Sequence, residues 1–194
     1  MMMTVAQLIE FVEPRGACDY ALRWLRSLPA DMPAEEAYQI CHDAYWMLWL
    51  AEKVDVEDAG RTFAMRAARA LLPHLRGEVA IAAEKLVRLA AECQEERTEE
   101  RRAAIKAELD AQRRLRWRLS PPDWFAYSAA RIACRAVAYN DPYGHHAIQN
   151  AYMDRGIGIP DPAEMLRECV PWGAIEDRIN RQWVGEFRIE QVVI

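Results

Sequence analysis

Apolar side chains recur at every third or fourth position along most of the chain, the period of a helix with one buried face. A short first helix is expected over residues 4–12, stopped before Pro14 and Gly16. Cys18, Ala21, Leu22, Leu25 and Leu28 mark one side of a second helix that ends at Pro29. Residues 34–53, AEEAYQICHDAYWMLWLAEK, begin one-sided and become apolar all round from Tyr45 to Ala51. A helix of that kind is normally enclosed by others, which places this segment at the centre of the fold. Two readings of it stay open. Asp43 can cap a second helix at Ala44, but Asp is also tolerated inside a continuous one.

Asp55 and Asp58 read as the next helix start, followed by Phe63, Ala67, Leu71 and Leu75, with Gly77 as a stop. Val79, Ala82, Ala83, Leu86, Ala90 and Cys93 define a further helix. The pattern then fails: residues 94–102, QEERTEERR, carry no apolar side chain and cannot bury a face. Apolar positions resume at Ile105, Leu109 and Leu115. Two antiparallel helices joined near Thr98, or one long protruding helix, both fit. Ser120-Pro121-Pro122-Asp123 starts a helix with Phe125, Ala129, Ile132 and Ala136 on one face. Asp141-Pro142 opens another, and Asp161-Pro162-Ala163-Glu164 forms a capping-box pattern before Met165, Leu166 and Cys169. Pro171 opens a last helix bearing Trp172, Ile175, Ile179 and Trp183. The tail GEFRIEQVVI alternates weakly at Phe187 and Ile189, as a short strand or ordered coil would. The expectation is an all-α, compact multi-helix bundle of about eight to ten helices. It forms one domain over residues 1–194, with the charged stretch near 94–118 as a seam or protruding hairpin.

Composition leaves that picture unchanged: 52 % apolar and 28 % charged residues are ordinary for a soluble globular chain. A chain of 194 residues can bury roughly 70 % of its extended surface without help from a metal or disulfide. The apolar run at residues 44–51 is too short to cross a bilayer. The N-terminal residues lack a basic start and a small-residue cleavage site, and the five cysteines form no CxxC pair. Reduced thiols packed as small core hydrophobes in a cytoplasmic protein are therefore expected. Charge is unevenly spread. Residues 1–60 hold eleven acids and four bases, residues 61–118 nine acids and fourteen bases, and residues 119–194 ten acids and seven bases. An acidic first third can face a basic partner.

Candidate chemistry is sparse. Cys41-His42-Asp43 contains residue types used in nucleophilic catalysis, but neighbours on a helix point about 100° apart, so a core-plus-cap reading is preferred. His145-His146 lacks HxxxH or HExxH spacing, and Glu92, Glu95, Glu96 and Glu99 lack the following His of a di-metal bundle. Gly156-Ile157-Gly158 has neither the third glycine nor the strand of a dinucleotide fingerprint. No catalytic residue, metal ligand or cofactor is assigned, and an enzyme is not expected. Arg113, Arg114, Arg116 and Arg118 surround Trp117, a set that could touch a phosphate backbone or stacked base. The alternative is a solvated face whose Arg stems cover apolar surface. Trp24, Trp46, Trp49, Trp124, Trp172 and Trp183 fall at helical spacing and read as core, although an exposed one beside the acidic third would anchor an interface.

The runs ACDYALRWLRSLP and PAEEAYQICHDAYWMLWLAEKV resemble the immunity proteins of bacterial polymorphic-toxin systems. The resemblance rests on Cys18, Ala21, Leu22, Trp24 and Leu25, then Ala37, Tyr38, Cys41, Trp46, Leu48, Trp49 and Leu50. It covers about the first quarter of the chain and consists of core residues, which speak for fold before task. It implies stoichiometric inhibition: one toxin domain bound and its active site occluded. Many such toxins are basic nucleases, and the acids then expected to meet the partner are Glu35, Glu36, Glu52, Asp55, Glu57 and Asp58. Two other functions compete. One is a phage-encoded inhibitor of a bacterial defence nuclease complex. The other is a nucleic-acid-binding helical module using residues 101–118.

Overall fold

The computed structural model describes residues 2–56, 58–112, 121–139 and 161–190. Ten α-helices carry the described chain: α1 Val5–Val12, α2 Asp19–Arg26, α3 Ala34–Ile40, α4 Ala44–Lys53, α5 Ala59–Leu71, α6 Gly77–Glu95, α7 Glu99–Ala111, α8 Pro121–Tyr139, α9 Pro162–Cys169 and α10 Trp172–Glu190. A 3-10 turn, Leu72–His74, follows α5. The one extended pairing among the described residues is an isolated bridge between Thr4 and Pro33. The protein is all-α, as its periodicity predicts. It divides into two compact units, Met1–Glu57 with Leu166–Ile194, and Asp58–Met165.

The first unit joins the two ends of the chain. The Thr4 hydroxyl accepts from Gln7 N at 3.4 Å and the Gln7 side chain accepts from Thr4 N at 3.0 Å. This reciprocal cap starts α1. Val5, Leu8, Phe11 and Val12 are its buried face. The C-terminal residues return to this core: Met3 N donates to Glu176 Oε1 at 3.0 Å, and the Phe11 and Trp183 rings lie 6.1 Å apart. Tyr38 Oη donates to the Val170 carbonyl at 2.7 Å, and its ring lies 5.7 Å from that of Trp172. A first unit split in sequence is held together by these long-range contacts.

The segment 34–53 is two helices. The Asp43 carboxylate accepts from Trp46 N at 3.1 Å and so caps α4. The break leaves the Cys41 carbonyl outside any helix, and Arg167 Nη1 donates to it at 2.8 Å. A buried carbonyl without such a partner would be costly. Trp46, Met47, Leu48 and Leu50 of α4 are buried, and the Trp24 ring meets Trp46 edge-on at 5.5 Å. Enclosure is incomplete, however. Tyr45 in the first turn of α4 is exposed, and Trp49, one turn further along the same face, is half-buried.

In the second unit, α8 packs on both α5 and α6. The buried faces are dominated by alanine: Ala64, Ala67 and Ala68 on α5, Ala82, Ala83 and Ala90 on α6, Ala129, Ala130, Ala133 and Ala136 on α8. Small side chains at a contact let helix axes approach closely. The expected face of α8 shifts slightly, since Ile132 is only half-buried while Tyr127, Cys134 and Val137 point inward. The charged stretch becomes a hairpin with its turn at residues 96–98. Thr98 caps α7 by accepting from Arg101 N at 3.3 Å. Arg101 reaches the Glu92 carbonyl, Lys85 pairs with Glu108, and Gln112 Nε2 donates to the Ala82 carbonyl at 3.2 Å. Partner numbers fall on α6 as they rise on α7, so the helices are antiparallel. At its far end Tyr127 Oη donates to Gln112 Oε1 at 2.8 Å, and Gln112 Nε2 also lies 2.5 Å from Glu108 Oε1.

Four expectations need correction. Asp55 and Asp58 do not form a capping pair: both have left-handed backbones, φ 58° and 62°, and Asp58 turns its carboxylate to Arg61 and Arg97. Gly77 does not stop α5, which has already tightened into the 3-10 turn. It opens α6 with φ +62°, a conformation that costs least at glycine. Residues 185–190 continue α10 rather than forming a strand or coil. A helix already nucleated gains one hydrogen bond per added residue, and two alternating apolar positions do not outweigh that. Cys18 is exposed at the N-cap of α2, ahead of the buried face that begins at Ala21, whereas Cys41, Cys93 and Cys134 are buried and Cys169 half-buried. The helix expected after Asp141-Pro142, His145-His146 and the Gly156–Gly158 turn lie outside the described residues.

Candidate protein-binding surface

Charge divides with the units. The first holds fifteen acidic and eight basic side chains, net −7, and the second fifteen and seventeen, net +2. Glu35 and Glu36 occupy the first turn of α3, where the helix dipole favours acids. Ala34, Ala37 and Tyr38 take the buried side of that helix, which leaves both glutamates exposed. Glu52 is exposed in the last turn of α4, and Asp55 in the turn that follows. Glu57 lies outside the described residues. Asp58 belongs to the second unit, where Arg61 and, at 3.7 Å, Arg97 neutralise it. Of the six acids picked out by sequence, four are therefore exposed on one unit, and Asp58 does not join them.

Sequence reasoning missed the apolar part of this surface. Tyr20 is 64 % exposed, Ile40 44 % and Tyr45 37 %, all in the first unit. Tyr20 was legible, as it lies off the stripe of Ala21, Leu22 and Leu25. Ile40 and Tyr45 were not, since they flank the helix break that the sequence left undecided. Exposed aromatic side chains can anchor an interface, with charged residues taking its polar rim. The tryptophans are mostly spent on packing: Trp46 and Trp172 are buried, and Trp24, Trp49, Trp124 and Trp183 half-buried.

Cys41-His42-Asp43 is the helix break and its cap. Burial pushes the Cys41 thiol up to about 11, despite its 3.8 Å contact with the Asp43 carbonyl, so it stays protonated at neutral pH. The Asp43 carboxylate is engaged by Trp46 N, and His42 is exposed. Among the described residues, no group of three or more His, Cys, Asp or Glu is placed to hold a metal ion. No helix among them is long and apolar enough to cross a membrane. Arg113, Arg114, Arg116, Trp117 and Arg118 lie outside the described residues. Of the neighbouring cations, Arg101 pairs with Glu96 at 3.1 Å and Arg102 with Glu99 at 2.9 Å. No family model matches the chain, and neither does any curated protein or solved structure.

Proposed function

We propose that this protein is a stoichiometric protein-binding inhibitor that works as an immunity protein, occluding the active site of a basic toxin domain. The observation that carries the reading is the surface of the first unit: Glu35, Glu36, Glu52 and Asp55 exposed on a body of net charge −7, with Tyr20, Ile40 and Tyr45 uncovered on the same unit. Acids steer a basic partner and set the association rate, while aromatic anchors slow dissociation. The resemblance of residues 17–54 to immunity proteins points the same way. An inhibitor of a defence nuclease would use the same surface and differ only in its partner.

The test is co-purification with the product of the adjacent gene, followed by assay of that product's toxicity. A one-to-one complex and loss of toxicity are expected. Reversing charge together at Glu35, Glu36 and Glu52 should slow association by about tenfold at low salt and much less at high salt. A neighbour that neither binds nor is neutralised refutes the immunity role.

A further inference from the structure

The hairpin of the second unit holds a cleft that the inhibitor reading does not use. Its volume is about 430 Å³, within the roughly 300–1,000 Å³ range of small-ligand sites. Arg97, Arg102 and Lys106 line it together with Glu99, Val137 and Ala138. Glu99, Arg102, Ala103 and Lys106 lie at i, i+3, i+4 and i+7 on α7, one face of a helix. Arg97 comes from the turn just before the Thr98 cap, and Val137 and Ala138 from the last turn of α8. Three cations thus meet one lining acid, and that acid, Glu99, is 84 % exposed.

These cations are incompletely compensated. Arg97 shares Asp58 with Arg61. Arg102 spends Nη1 on Glu99, while its Nε is cut off from solvent and has no hydrogen-bond partner. Lys106 is exposed and forms no ion pair with any described residue. An anion in the cleft would meet the exposed part of the Arg102 side chain, which is 40 % accessible, and the Lys106 ammonium, not the enclosed Nε. Guanidinium groups bind phosphate oxygens through a planar fork of donors, and an ammonium adds a compact point charge. Ala103, on the same face of α7 as the charges, and Val137 and Ala138 of α8 complete the lining with apolar side chains.

We propose that this cleft binds a small phosphomonoester, its phosphate held by Arg97, Arg102 and Lys106 and its apolar portion laid against Ala103, Val137 and Ala138. The probes are phenyl phosphate, inorganic phosphate and phenol, titrated by calorimetry into the full chain. Phenyl phosphate should bind, and more tightly than either fragment. Lys106→Met keeps the apolar stem and removes the charge, and should weaken it by about tenfold, the usual worth of one charge-assisted contact. Arg102→Gln should do the same, and Arg88→Ala, on the exposed side of α6, should leave it unchanged. Circular dichroism checks that each variant is folded, and Lys106→Met breaks no ion pair with any described residue. Absence of binding overturns the proposal, as does binding indifferent to Lys106 and Arg102. Inorganic phosphate bound as tightly as phenyl phosphate removes the apolar subsite and with it the phosphomonoester. A single-stranded oligonucleotide that outcompetes phenyl phosphate at the same residues would make the cleft part of a nucleic-acid track instead.

Discussion

Tyr38→Phe tests the contact that ties the two ends of the chain into the first unit. The ring stays and only the hydroxyl is lost, so packing against Trp172 is preserved. The hydroxyl donates to the Val170 carbonyl at 2.7 Å, and Tyr38 and Val170 are each only 1 % exposed. Water cannot replace the bond in a site so closed. The loss should therefore cost about 1–3 kcal/mol, the penalty of a buried carbonyl left without a donor. For a chain of this size that lowers the thermal midpoint by about 2–4 °C per kcal/mol. Urea unfolding followed by tryptophan fluorescence is the assay, since Trp24, Trp46, Trp49, Trp172 and Trp183 all belong to the first unit. Tyr20→Phe is the control: that side chain is 64 % exposed, and its change should stay within about 0.5 kcal/mol. Alkaline pH gives a second readout. Burial pushes the Tyr38 phenol above its ordinary value, outweighing the nearby Arg167. The unfolded chain releases this proton near pH 10 and the folded chain holds it. Stability is then flat below about pH 10 and falls above it, a fall that is shallower in Tyr38→Phe. A variant as stable as the parent, or an unchanged alkaline limb, would refute the account of this contact.

Asp43→Ala removes the cap of α4 and should cost about 1 kcal/mol in the same unfolding experiment, with Asp43→Asn recovering most of it. Burial alone would raise the Glu108 carboxyl, but hydrogen bonds from Lys85 and Gln112 outweigh it and hold the group below its ordinary range. The stability it adds is present at neutral pH and lost as pH falls through its depressed folded value, so Glu108→Gln should flatten the acid limb of a stability–pH curve. Under native conditions a maleimide should label Cys18 first, with Cys41, Cys93 and Cys134 protected until the chain unfolds. Mass spectrometry of the labelled peptides reads this directly, and early labelling of Cys134, whose Sγ donates to the Leu86 carbonyl at 2.9 Å, would contradict its burial.

Sequence by itself settled the helical class and most helix positions. Both follow from local rules: a 3.6-residue apolar period, Pro and Gly near the ends, and a cap such as Asp161 one step ahead of a run. It also marked residues 94–102 as unable to bury a face, which the exposed turn of the α6–α7 hairpin explains. What it left open depended on partners far away in the chain. The break at 41–43 needs Arg167 to take the freed carbonyl, and Asp58 becomes an ion-pair hub because Arg97, thirty-nine positions later, arrives beside it. The surface was least legible of all. Ile40 and Tyr45 lie exposed on either side of the helix break, and the cleft of Arg97, Arg102 and Lys106 exists because the end of α8 lies across the start of α7. Local period reports which side chains avoid water. Only the folded chain decides which charges meet, since that depends on distances between segments that no spacing along the sequence encodes.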